Sequence, residues 1–218
     1  LAITVGMVDT MMISYAGEAA ISGVSLVDMI NVLLINIFAA VATGGAVVVS
    51  QYLGHGNRRE ACHAAEQLIT VSVVISTALT LISLLFRAQI LRLLFGTVEA
   101  DVMENAMVYF LISAFSFPFL AVFNACAATY RSMGNSRISM QVSAGMNVFN
   151  AIGNAVLIFG FQMGTAGAAL STLAARMLGA IVMMGLIRNK KNDVYVIYRN
   201  LIAWERDMVQ RILHIAVP

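Results

Sequence analysis

Charge is what this chain has least of. Of 218 residues, only 11% are Asp, Glu, Lys or Arg while 60% are hydrophobic, and the mean hydropathy is +0.86. A soluble domain carries about 25% charged residues, so a water-exposed globule is excluded and a membrane protein is expected. The net charge of +2 is too small for a nucleic-acid surface, and the basic residues lie between hydrophobic runs, not in one patch. Cysteine is scarce too. Cys62 and Cys126 stand far apart with no CxxC and no secretory spacing, and both read as packing residues. His55, His63 and His214 lack metal-ligand spacing. No GxxxxGK[ST] loop is present, and Thr43-Gly44-Gly45 has no lysine where that motif needs one. No intramembrane Ser–His or paired-carboxylate arrangement suggests hydrolysis. Neither an enzyme nor a resident cofactor or metal is expected, beyond Na⁺ at Asp9.

What remains is a series of apolar runs over residues 1–15, 21–52, 64–86, 107–130, 138–159 and 166–187. Each of the last five is long enough to cross a bilayer, which takes about 20 helical residues. The expected fold is therefore all-α, a polytopic bundle of six transmembrane helices. The first run has about 21 Å of helix ahead of Tyr15, so its beginning is expected to be missing, and no signal peptide is read from this end. The second run, which contains Asp28, Asn31 and Asn36, exceeds one perpendicular span and is expected to tilt or project. Residues 1–187 form the expected lobe, 188–211 a linker, and 212–218 the opening of a seventh span.

Arginine and lysine set the orientation, because short cytoplasmic loops accumulate them. Arg58 and Arg59 lie in the second connection, Arg131 and Arg137 in the fourth, and Arg188, Lys190, Lys191 and Arg199 after the sixth run. The first and fifth connections have none. The third, with Arg87 and Arg92 beside Glu99, Asp101 and Glu104, is the ambiguous one. A plasma-membrane, multi-pass protein with its N-terminus and linker in the cytoplasm is expected. The linker mixes charges with Val194, Val196, Ile197, Leu201, Ile202 and Trp204. It reads either as an amphipathic segment on the membrane interface or as a loosely held connector.

Polar side chains inside the runs are the candidates for function. Asp9 is an ionisable group inside hydrocarbon. It lies six residues before Tyr15, about 9 Å inside the outer boundary. Asn154, Thr172 and Asp28 count to a similar depth. Asn147, Asn150 and Asn154, spaced three and four apart, share one helical face. That stripe reads as part of a site or as interhelical glue. A carboxylate such as Asp9 can exchange a proton, or hold Na⁺ among amide and hydroxyl oxygens, or be a permanent structural hydrogen-bond partner. Arg176, one turn below Thr172 near the midplane, needs a partner there, and Asp28 or Asp9 is expected to supply it. The fourteen methionines, Met183-Met184 among them, read as core filling or as an adaptable pocket lining. Gly160 and Gly164 straddle a turn and need no dimer to explain them, and a monomer is expected.

Several short motifs occur in order along the chain: Val8-Asp9-Thr10, Gly17-Glu18, Ala20-Ile21-Ser22-Gly23-Val24-Ser25, and Ser50-Gln51-Tyr52-Leu53-Gly54-His55-Gly56-Asn57. Tyr130-Arg131-Ser132-Met133-Gly134-Asn135-Ser136 and Gly164-Thr165-Ala166-Gly167-Ala168-Ala169-Leu170-Ser171-Thr172 follow. In this order they resemble the multidrug and toxic compound extrusion (MATE) transporters over essentially the whole chain. The resemblance implies a twelve-helix, two-lobe antiporter that expels cationic or amphipathic drug-like compounds as H⁺ or Na⁺ enters. This chain would be its N-terminal lobe, partnered by a C-terminal lobe and the bilayer. It also implies that Asp9, Tyr109, Asn124, Asn150, Asn154 and Thr172 form the cation site or line the adjoining cavity. Some members carry an acidic residue where Asn154 stands, a loss for which Asp28 is the compensating candidate. With the residues read above, the expected cation site is Asp9, Asp28, Tyr109, Asn150, Asn154 and Thr172, and the expected cavity residues are Asn124, Asn147 and Arg176. Alternating access is the expected mechanism. The alternative is a lipid or lipid-linked precursor flippase of a related fold, which predicts a strongly cationic cavity.

Overall fold

A computed structural model describes residues 13, 17–96, 98–197, 201 and 205–216. Asp9, nearly all of the first expected span and Trp204 lie outside the described residues. The described helices are α1 (Glu18–Gly54), α2 (Arg58–Leu85), α3 (Arg87–Phe95), α4 (Ala100–Phe115), α5 (Phe117–Ser132), α6 (Ser136–Asn154), α7 (Gly164–Ile187) and α8 (Arg206–Ala216). A π-helical stretch, Ala155–Gly160, continues α6. There is no strand among the described residues. Among the described residues, four helices are long and apolar enough to cross a membrane, or five when α4 and α5 are counted as one broken span. This is the expected membrane helix bundle.

The 37 residues of α1 make a rod of about 55 Å, well beyond a hydrocarbon core of about 30 Å. No proline interrupts it, and Glu18 in its first turn faces the positive end of the helix dipole. The fourth expected span, 107–130, is instead two helices. Pro118 has no N–H for the carbonyl of Ala114, which accepts from Thr80 Oγ1 at 3.1 Å, and the helix breaks at Ser116. The acidic connection expected before Met107 also differs. Arg87–Phe95 is helical, and Asp101 sits in the first turn of α4, where the dipole favours a carboxylate.

The chain divides into two compact units. The first comprises residues 1–34, 79–117 and 144–177, and the second 35–78, 118–143 and 178–218. In the first, Gly23 lets α1 approach the α4 backbone so closely that a Cβ would stand 2.9 Å from the carbonyl of Val102 and the amide of Ala106. In the second, Leu68, Ile69, Val49, Tyr130, Met183, Ile187 and Ile212 form the core. Here Gly44 admits α8, since a Cβ would lie 2.8 Å from the Ile212 carbonyl.

The expected linker, 188–211, is described over residues 188–197, 201 and 205–211. Its described residues are tied to one face of α2, on which Arg58, Cys62, Glu66 and Thr70 recur every fourth position. Arg58 Nε donates to the Asp193 carbonyl at 2.7 Å, Nη2 donates to the carbonyl of Asn192, and the guanidinium lies 5.8 Å from the Tyr195 ring centre. The Tyr195 amide points to Cys62 Sγ at 3.5 Å, and the Ile197 amide donates to Glu66 Oε1 at 2.9 Å. Thr70 Oγ1 donates to the Leu201 carbonyl at 2.7 Å, and the Glu205 amide donates to Gln67 Oε1 at 3.2 Å. The next helix begins at Arg206, ahead of the expected 212.

Candidate functional site

In the first unit, α1 and α4 bring Asp28 and Tyr109 together. The Tyr109 hydroxyl reaches Asp28 Oδ1 at 3.4 Å, and Asn31 Nδ2, one turn along α1, donates to the same oxygen at 3.2 Å. Tyr109 is buried and Asp28 is exposed. Asn31 Oδ1 and Ser113 Oγ, each a turn from this pair, are buried with no hydrogen-bond partner among the described residues. Hydroxyl, amide and carboxylate oxygens are the ligands that hard cations take. Among the described residues, no three His, Cys, Asp or Glu side chains cluster as a metal site.

Arg176 of α7 does not form the expected contact ion pair with Asp28. Its Nη1 donates to Ser116 Oγ at 2.6 Å, and Ser116 Oγ in turn donates to the Ser113 carbonyl at 2.6 Å. The polar break in the α4–α5 span is thus where the guanidinium is received. Asp28 is still near enough for its charge to act on Arg176. The other expected partner, Asp9, lies outside the described residues.

The asparagine stripe meets α7 at Asn150. Asn150 Nδ2 lies 3.2 Å from both Ser171 Oγ and Thr172 Oγ1. Ser171 Oγ donates to the Asn150 carbonyl at 2.7 Å, and Thr172 Oγ1 donates to the Ala168 carbonyl at 3.0 Å. Asn154 is buried at the entrance to the π-helical turn, a kind of irregularity that concentrates at functional sites. Asn147 is half-buried on the same helix. Asn124 belongs to the second unit, where its Nδ2 is buried without a hydrogen-bond partner among the described residues.

Sequence reading missed Ser116, Ser171 and Ser113, since an isolated serine in an apolar run carries no pattern. Asn31 had a signal, its i+3 spacing from Asp28. Ser116 had another, its place just before the Phe117-Pro118 break.

Comparison with known proteins agrees with this architecture. An uncharacterised transporter of Bacillus subtilis, YisQ, is 31% identical over 218 residues, covering 98% of this chain and 47% of that protein. The probable multidrug resistance protein NorM of Thermotoga maritima is 27% identical over 98% of this chain and 46% of its own length. The chain therefore spans about half the length of the curated relatives it matches. Among solved structures, a MATE protein in a bent conformation superposes with a TM-score of 0.90 at 17% identity, over 98% of this chain and 47% of that one. A MOP superfamily transporter from Pyrococcus furiosus gives 0.91 at 17% identity, over 100% and 48%. At that identity the likeness is one of fold. The MatE family model matches residues 1–156, and the chain belongs to the MatE family.

Proposed function

We propose that this chain is one lobe of an exporter of cationic or amphipathic drug-like compounds, driven by H⁺ or Na⁺ entering and working by alternating access. Residues 1–187 form the lobe and 188–205 the cytoplasmic linker, and the helix from Arg206 opens the seventh span, in a monomeric plasma-membrane protein. The cation is taken by Asp9, Asp28, Tyr109, Asn150, Asn154 and Thr172, while Asn124, Asn147 and Arg176 serve the substrate cavity. The observation that carries this reading is the Asp28–Tyr109–Asn31 contact, with two further buried oxygens a turn away. An exposed carboxylate held loosely by neutral donors is able to change partners. Cation and drug would then stabilise different arrangements of the two lobes, so exchange follows from competition for states. Relatives carrying multidrug resistance names support drug efflux. A flippase for lipid-linked phosphates is less well supported, because the guanidinium of Arg176 is already engaged by Ser116.

The test is efflux from vesicles holding the whole transporter under an imposed pH or Na⁺ gradient. Asp28→Asn and Asp9→Asn should each lower gradient-driven efflux by about 5- to 150-fold, the span of usual coupling energies. Equal transport by wild type and both variants would remove the carboxylates from the coupling step.

A further inference from the structure

Arg87 and Arg92 are the two basic residues that the topology leaves unexplained. They lie beyond the end of α2 opposite Arg58 and Arg59, where positive charge is not expected to collect. Both line a groove of about 1040 Å³ in the first unit. The other wall is one stripe of α4: Ala100, Met103, Glu104, Met107, Val108 and Leu111, at intervals of three and four. From Ala100 to Leu111 that stripe runs about 17 Å at 1.5 Å per residue. One leaflet of a bilayer is about 15 Å deep. Among the described residues, neither Arg87 nor Arg92 has an ion-pair partner, although Glu104 lines the same groove.

We propose that this groove binds one anionic glycerophospholipid, its acyl chain along Met103, Met107, Val108 and Leu111 and its phosphate between Arg87 and Arg92. The lining charge selects the headgroup. Two guanidinium groups against one carboxylate leave a single positive charge, which one phosphodiester neutralises. The hydroxyls of a glycerol headgroup donate to Glu104. A choline headgroup has no donor for that carboxylate and brings its own cation towards two arginines. A cationic drug meets the same repulsion. The short helix α3 is placed to float on the interface, with Leu93 and Leu94 turned outward at 87% and 58% exposure.

The probe is phosphatidylglycerol carrying a photoactivatable acyl chain, incubated below saturation with the whole purified transporter in neutral detergent and mapped by mass spectrometry after illumination. Adducts should fall on Met103, Met107 and Leu111, and unlabelled phosphatidylglycerol, but not phosphatidylcholine, should compete them away. Near a membrane surface each basic residue contributes about fivefold, so Arg87→Gln and Arg92→Gln together should reduce labelling about thirtyfold. The double lysine variant should keep most of it. Unchanged thermal unfolding of the double Gln variant shows that it is folded. Equal labelling by phosphatidylcholine, or labelling indifferent to the Gln substitutions, would reduce the groove to ordinary lipid contact and overturn the proposal. Absence of lipid adducts from Met103, Met107 and Leu111 in the wild type would overturn it too, by showing that no lipid lies along the groove.

Discussion

Glu66→Ala should release the linker without unfolding the bundle. The Glu66 side chain is only 3% exposed, and Oε1 accepts the Ile197 amide at 2.9 Å while Oε2 stands 3.5 Å from His63 Nδ1. A hydrogen bond to a charged acceptor is worth about 1.5–3 kcal/mol. Losing it raises the open population of the linker about 10- to 150-fold. Its neighbours give smaller steps. Thr70→Ala and Gln67→Ala each remove a neutral bond to the same segment, about 0.5–1.5 kcal/mol or roughly 2- to 12-fold. His63→Ala, which breaks the 2.7 Å contact with a Glu205 that is 53% exposed, is worth about 0.2–1 kcal/mol, and less in high salt. Trypsin reads the order, because cleavage at Lys190, Lys191 and Arg199 tracks the open fraction when reclosing is faster than cutting. Cleavage at Arg131, in the last turn of α5, is the internal control. A Glu66→Ala rate within twofold of wild type refutes the docked linker. Equal acceleration at Arg131 refutes its independence from the bundle.

Two packing predictions follow from close approaches. Gly44→Ala places a methyl 2.8 Å from the Ile212 carbonyl and 2.9 Å from the Ala216 amide, backbone atoms that cannot swing aside, and should cost about 1–3 kcal/mol, seen as a lower melting temperature and faster cleavage within α8. Gly153→Ala runs into Ser171 Oγ, so it should destabilise the wild type yet be tolerated beside Ser171→Ala, a non-additivity that a double-mutant cycle measures directly. Ser171→Ala alone should cost about 0.6 kcal/mol, the mean for polar contacts between membrane helices, through loss of its bonds with Asn150.

Much of the bundle is legible in the sequence because hydropathy and turn chemistry are local. The sixth expected run, 166–187, differs from α7 by two residues at its start, and α1 extends only slightly beyond 21–52. Boundaries fail where a charged turn continues a helix. The first turns of α2 and α4 carry Arg58, Glu60 and Asp101, and reading charge as loop placed both starts too late. Depth counting inherits that error. It set Asn154, Thr172 and Asp28 at a similar level, all three in the first unit, and could not show that the Asn150 amide meets Ser171 and Thr172. The partner of Arg176 was illegible for another reason. Pairing by charge pointed to Asp28 or Asp9, whereas Ser116 is exposed as an acceptor only because Pro118 breaks the helix beside it.

The linker also explains a repeat that hydropathy does not show. Tyr52-Leu53-Gly54-His55-Gly56-Asn57 and Tyr130-Arg131-Ser132-Met133-Gly134-Asn135 share the pattern Y-x-x-x-G-N, and each closes a helix of the second unit. Gly56 and Gly134 have φ of +73° and +74°. Their amides bond Leu53 and Arg131 at 2.9 Å, and those of Asn57 and Asn135 bond the Tyr52 and Tyr130 carbonyls at 3.0 Å. This is the Schellman pairing, which satisfies terminal carbonyls from the backbone alone. The two tyrosines carry a second function that the turn does not require. Tyr130 Oη accepts from Asn192 Nδ2 at 3.2 Å, and Tyr52 Oη accepts from Arg211 Nη1 at 3.0 Å. One residue at the same place in two equivalent turns thus grips the tail before and after its docking on α2. A chain that only needed to connect two spans would leave this length free. One fastened at Asn192, Asp193, Ile197, Leu201, Glu205 and Arg211 is held to α1, α2 and α5 at those points instead.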